Sequence, residues 1–210
     1  MELGLPFPVD PSSHPRLYPL EPERIESVRE VTPFTRTGDP AMVLLAKEAR
    51  AVCGVTVGMV SLLEEAEEWV VACVGTEAER IPRALSFCAH TILEPDVLVV
   101  EDASQDPRFR TNPFVLDEHH LRFYAGAPIF DATGLPLGAV CVCDASPQAF
   151  STRCLLNLRR LAASASAVLE VRLLHADART HYASSPQAKK AQNRLDALLL
   201  ALLDTRTDVR

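Results

Sequence analysis

No run of apolar residues in this 210-residue chain reaches the roughly 18 needed to span a bilayer, which excludes a transmembrane helix. The first fifteen residues, MELGLPFPVDPSSHP, lack both a basic patch and an apolar segment, so they do not form a secretory signal. Cations are in deficit. Lys and Arg number 21 against 28 Asp and Glu, a net charge of −7, which argues against a nucleic-acid partner because phosphate recognition needs clustered positive charge. Phosphate loops of the GxxxxGK[ST] type, nucleophile elbows, HExxH zinc helices and paired CxxC metal spacings are all missing, so catalysis and metal binding have no motif to rest on. The expectation is a cytoplasmic protein, not an enzyme, with neither membrane nor nucleic acid among its partners.

What is present is ordinary globular material, 48% apolar and 23% charged, enough for one domain of about 150 residues with extensions. Six prolines in residues 1–22 mark an N-terminal extension, after which Pro22–Val31 reads as a short helix. Asp39 as N-cap, Pro40 at the first helical position and Gly54 beyond the end bracket a helix over residues 40–53. β-Branched runs at Val55–Leu63 and Glu68–Gly75, joined by an acidic turn, predict one antiparallel hairpin. Leu121–Phe130 and Leu137–Asp144, joined at Asp131–Gly134, predict another. A short helix capped by Ser86 is expected over Leu85–Leu93, a brief strand at Val97–Glu101, and a turn-rich loop at Asp106–Phe114.

From Ser151 the pattern turns helical, with Leu155, Leu158, Leu161, Ala165 and Val168 tracing a seam toward Leu173; a further helix is expected after Pro186. The order of elements gives an α+β domain with a central antiparallel sheet. Cys141 and Cys143 share one face of their strand, as a soft-metal or redox pair or as core filling, the commoner role of buried cysteine.

Several strings carry a family resemblance: Ser86-Phe87-Cys88-Ala89-His90-Thr91-Ile92-Leu93, Val99-Val100-Glu101-Asp102-Ala103, Asp106-Pro107-Arg108-Phe109, Arg122-Phe123-Tyr124-Ala125-Gly126-Ala127-Pro128 and Gly138–Asp144. In order and spacing they resemble GAF domains of the bacterial type found ahead of histidine kinases and cyclic-di-GMP enzymes, over about residues 23–172. Two positions depart from that pattern: Glu68-Trp69 stands where these relatives often read Gln-Trp, and Gln148 follows Pro147 where they often have Arg. No kinase or cyclase signature follows residue 172, and residues 173–210 read as a helical extension.

The resemblance implies helices on one face of the sheet, a ligand pocket roofed by loops and a short helix on the other, and dimerisation through terminal helices. It also implies a sensory or regulatory role, passed to a second copy or to a separate signalling protein. It names no cofactor, because such domains bind cyclic nucleotides, bilins, haem or small metabolites, or nothing known. The candidate ligand-binding residues are Cys88, His90, Asp102, Asp106, Arg108, Phe109, Tyr124 and Gly126. For the loop residues a structural reading stands beside the binding one: Asp102 closes a turn, Arg108 pairs with an aspartate, and Phe109 fills the core. Strand alternation sends Tyr124 and Gly126 to the pocket face and Phe123, Ala125, Ala127 and Ile129 to the helical face. Cys88 and His90, two apart on a helix, point about 200° apart and cannot easily face one ligand.

An enzymatic branch of the family reduces free methionine-R-sulfoxide with an attacking and a resolving thiol. Cys88 matches one of its cysteines, but Thr76–Leu85 and the stretch from Asp106 to Phe123 hold none. A thiol-based redox enzyme is therefore the alternative, and a ligand-free interaction module a third reading.

Overall fold

The computed structural model describes residues 14–117 and 119–183. The first thirteen residues of the proline-rich extension, and the helix expected after Pro186, lie outside the described residues. Two compact units divide the chain between Glu170 and Val171.

Helix α1 (Glu21–Val31) leads through a 3-10 turn at Thr32–Phe34 to α2 (Pro40–Cys53). The start of α2 is fixed locally: the Asp39 carboxylate accepts from the Ala41 and Met42 amides at 3.0 and 3.3 Å. Its end is fixed by Gly54, which takes the left-handed conformation at φ 68° that a β-carbon would resist. Strands β1 (Val57–Leu63) and β2 (Glu67–Val74) form the first hairpin. After them come β3 (Arg80–Pro82), a 3-10 turn at Arg83–Leu85, α3 (Cys88–Thr91), β4 (Leu98–Val100), α4 (Pro113–Leu116), the second hairpin β5 (Phe123–Phe130) and β6 (Pro136–Asp144), and α5 (Thr152–Ala183).

The six strands make one sheet in the order β3-β2-β1-β6-β5-β4 with every pairing antiparallel. The two hairpins meet in the middle, where β1 pairs with β6 from Val57↔Cys143 to Leu62↔Gly138. β3 was not anticipated: a three-residue edge strand ending in proline carries no alternation to read, and it exists because the rim of β2 offers Glu67–Trp69 as partners.

Helices α1 and α2 pack on one face of the sheet. Along α5, Cys154, Leu158, Ala162, Ala165 and Leu169 are buried, at steps of four, four, three and four. This corrects the expected seam: Leu158 and Ala165 belong to the buried line, while Leu155, Leu161 and Val168 are only half-buried at its flank. A stripe one residue wide cannot fix the rotation of a helix; packing of the small Ala162 and Cys154 against the domain does. A disulfide joins Cys53 at the end of α2 to Cys154 near the start of α5, with Cα atoms 5.0 Å apart. Spacing gave no hint of it, because 101 residues separate the two. In the second unit the described residues continue as helix, with Val171 and Leu174 exposed. Among the described residues no helix is long and apolar enough to cross a membrane.

Charge also works inside the fold. Arg24 on α1 is fully buried; it donates to the Leu63 carbonyl at 2.8 Å and is paired with Glu21 at 2.7 Å. Arg83 meets the same carboxylate at 2.5 Å. Glu21 therefore bridges two guanidinium groups, and their hydrogen bonds outweigh the burial that would raise its carboxyl, holding it down at about 2.

Candidate functional site

The other face of the sheet is covered by α3, α4 and the loops around them. Here Met59, Val70, Tyr124, Ala139 and Cys141 on the strands pack with Phe87, Cys88, Phe109 and Val115. Beside this core lies a cavity of about 390 Å³, within the size range of small-molecule sites. Its walls come from the start of β1, from β2, from the segment Gly75–Ile81, from Leu85–Cys88, and from the end of β6 at Cys143–Ala145. Phe114, His119 and Leu121 close another side.

Of the eight expected residues, Cys88 and Tyr124 line this cavity. The Tyr124 hydroxyl lies 2.6 Å from Thr91 Oγ1 and 3.4 Å from Cys88 Sγ, and burial pushes its pKa well up. Gly126 stands behind it. A β-carbon there would come within 2.3 Å of the Tyr124 hydroxyl, so the glycine makes room for a protein side chain and not for a ligand.

The other five are elsewhere. Phe109 is buried, stacked on Phe87 with centroids 4.0 Å apart, and its ring meets His90 edge-on at 4.7 Å. Asp102 closes its own turn, accepting from the Ser104 amide at 3.0 Å. Asp106 takes the Arg108 guanidinium in two bonds, at 3.0 and 2.7 Å. Burial alone would raise the Asp106 carboxyl, but those bonds win and leave it below its ordinary range. None of these five is in the cavity wall. The physical reason is the packing of Phe109 into the core, which turns the polar residues on either side of it into one another and toward solvent.

The cysteines cluster. Cys88 Sγ is 3.6 Å from Cys141 Sγ. That contact favours the Cys88 thiolate, but burial and the nearby Glu68 charge prevail and its pKa is raised. For Cys141 the contact with Cys88 and burial act together and the pKa is pushed well up; burial likewise raises Cys143. Both Cys141 and Cys143 are buried on the cavity side, as the alternation implied, and Cys143 reaches the wall. Among the described residues no group of three or more His, Cys, Asp or Glu is arranged to hold a metal ion.

The residue that sequence reasoning missed is Glu68. It is 1% exposed and lines the cavity; one carboxylate oxygen accepts from Ser86 Oγ at 2.5 Å. Ser86, one residue before the Phe87 N-cap of α3, in turn accepts from the Ala89 amide in the first turn of that helix at 2.9 Å. The signal was there in an acidic residue at an inward-facing position of an apolar strand, beside Trp69.

A GAF domain profile matches residues 38–169, well over half of the chain. The chain belongs to the GAF domain family. Over 92 residues it is 46% identical to a cyclic di-GMP phosphodiesterase of Pseudomonas aeruginosa, a match that covers 44% of this chain and 16% of that protein. The GAF domain of an Acinetobacter phosphoenolpyruvate-protein phosphotransferase superposes with a TM-score of 0.51 at 18% identity, covering 76% of this chain and 98% of the other. The chromophore-binding domain of a bacteriophytochrome from R. palustris does so at 0.53 and 15%, covering 77% and 64%. At these identities the likeness to both is one of fold.

Proposed function

We propose that this GAF domain is a sensory or regulatory module that binds a small molecule in the cavity and passes the result through α5, to a second copy of itself or to a separate signalling protein. The observation that carries the reading is continuity. Cys143 and Asp144 at the end of β6, with Ala145 just after it, form one wall of the cavity, and the short segment that follows, over residues 146–151, leads to α5. Asp144 also holds the start of β1, accepting from the Thr56 amide at 2.9 Å. A ligand that shifts this wall biases the placement of the helix start. The phosphodiesterase relative supports a signalling setting, and the half-buried Leu155, Leu161 and Val168 with exposed Leu156 supply the apolar surface for a homodimer. We place the protein in the cytoplasm and assign it no catalysis of its own.

Native mass spectrometry of the protein purified from its host tests the reading. A dimer carrying a defined extra mass is the expected result. A bare protein, with no mass shift across a metabolite extract, would overturn ligand sensing in favour of an interaction module.

A thiol-based redox enzyme is the second reading, favoured by the 3.6 Å approach of Cys88 to Cys141. Against it stand the raised pKa values of both thiols, which keep the reactive thiolate scarce at neutral pH. Turnover of free methionine sulfoxide, abolished by Cys88→Ser, would establish it.

A further inference from the structure

Glu68 holds a buried carboxylate oxygen that nothing in the protein satisfies. Its Oε2 takes the Ser86 hydroxyl, but its Oε1 has no hydrogen-bond partner, in a side chain 1% exposed and set in the cavity wall. Three other buried polar atoms among the described residues share that condition, on Ser61, Arg83 and Thr111, and none of those three residues lines the cavity. A buried carboxylate oxygen without a donor is costly, and a donor arriving with a ligand removes that cost.

The rest of the wall narrows the donor's chemistry. Its acidic members are Glu68, Glu77 and Asp144. Its one arginine, Arg80, is already engaged by Glu64 at 2.7 Å and Glu67 at 3.2 Å. His119, at the edge, has Asp117 as its acidic neighbour. The Asp144 carboxylate is occupied by the Thr56 and Ser146 amides, each at 2.9 Å, and the Tyr124 hydroxyl by Thr91 and Cys88. The one unmet acceptor among the wall residues thus belongs to a cavity whose acidic groups outnumber its cations and whose surface is largely apolar, from Met59, Ile81, Leu85 and Phe87. An anionic ligand would meet the acidic groups of the wall, whose one arginine among the described residues is already paired with two glutamates, and a neutral apolar one would leave Oε1 unpaired.

We propose that the cavity selects a small amphiphilic cation: a protonated amine bound to Glu68 Oε1, on an apolar body that lies against Met59, Ile81 and Phe87. This rests on the reading of the cavity as a ligand site and specifies what the site takes. It sets the protein apart from nucleotide-binding and tetrapyrrole-binding modes, which need phosphate- or propionate-receiving cations. Glu68 fixes the charge of the ligand, and the apolar wall fixes its size.

Matched probes test it on the full chain. Benzylamine, benzyl alcohol and benzoate share one ring and differ only in the polar group, and cyclic GMP supplies a nucleotide anion. Titration calorimetry, with Trp69 emission as a second readout, is expected to show benzylamine binding at least tenfold tighter than the alcohol and no binding of benzoate or cyclic GMP. Glu68→Gln is expected to erase the preference for amine over alcohol; the wild-type series decides the matter even if that variant does not fold. Equal affinity for amine and alcohol, tighter binding of either anion, or no binding of any probe would each overturn the proposal. A ligand of other chemistry found by native mass spectrometry would overturn it while leaving ligand sensing in place.

Discussion

The Tyr124 hydroxyl rests 2.6 Å from Thr91 Oγ1, and Gly126 leaves the space in which the two meet. Thr91 is the last residue of α3 and Tyr124 lies on β5, so this buried contact fastens the short helix of the cavity to the sheet. Gly126→Ala would place a β-carbon 2.3 Å from the hydroxyl and 2.8 Å from Thr91 Oγ1. Overpacking of this kind costs about 1–3 kcal/mol. Urea denaturation is expected to show that loss, and Tyr124→Phe in the same chain is expected to recover part of it by removing the crowded oxygen. An unchanged midpoint for Gly126→Ala would mean that α3 is not held in this way.

The Cys53–Cys154 bond closes a loop of 101 residues and ties the end of α2 to the start of α5. Cross-linking over such a span restricts the unfolded chain, by about 4–5 kcal/mol on the chain-entropy account. Reductant is therefore expected to lower the stability of the wild type by several kcal/mol and to leave a Cys53→Ser/Cys154→Ser double variant unaffected. Thermal melts with and without reductant read this directly. Reducing pools in the cytoplasm disfavour such bonds, so the same comparison gives the stability the domain would have there as a dithiol.

Local signals read well from the sequence and long-range ones did not. Helix α2 was legible because Asp39, Pro40 and Gly54 act within a few residues of themselves. The facing of Tyr124 was legible because alternation along β5 needs no partner. Arg24 was not, since its burial depends on carbonyls at Leu63 and Pro136 that only the folded sheet brings near. The site was half legible for the same reason. Cys88 and Tyr124 sit in strings that the family resemblance marks, whereas Glu68 became a residue of the cavity wall only in the folded protein, where Ser86 takes one of its oxygens.

Acid should act on Glu21. Its carboxyl lies near 2 in the folded protein against an ordinary 4.5, so the folded state prefers it ionised. A depressed folded pKa contributes stability that is fully present above the unfolded value and is lost as pH falls from about 4.5 toward 2. Denaturation midpoints are expected to drop through that window, and Glu21→Gln to flatten the drop attributable to this group. A slope identical in the variant would locate the acid sensitivity elsewhere. The same substitution at pH 7 leaves the fully buried Arg24 without its charge partner and should cost about 3–5 kcal/mol, the usual penalty for breaking a buried pair.

Arg108 and Phe109 are neighbours in the chain with opposite expected sensitivities. The Arg108 side chain is 40% exposed and paired with Asp106, an arrangement worth about 0–1 kcal/mol. Phe109 is 1% exposed between Phe87 and His90, and truncating a buried phenylalanine costs about 3–5 kcal/mol. Arg108→Ala is expected to move the unfolding midpoint little and to leave binding in the cavity unchanged, because Arg108 is not in its wall. Phe109→Ala should destabilise strongly and loosen Phe87, which is in that wall, so that any loss of binding follows the loss of packing. A tenfold weaker ligand affinity in Arg108→Ala at unchanged stability would return the loop at Asp106–Phe109 to the binding site, with the guanidinium moving inward when ligand arrives.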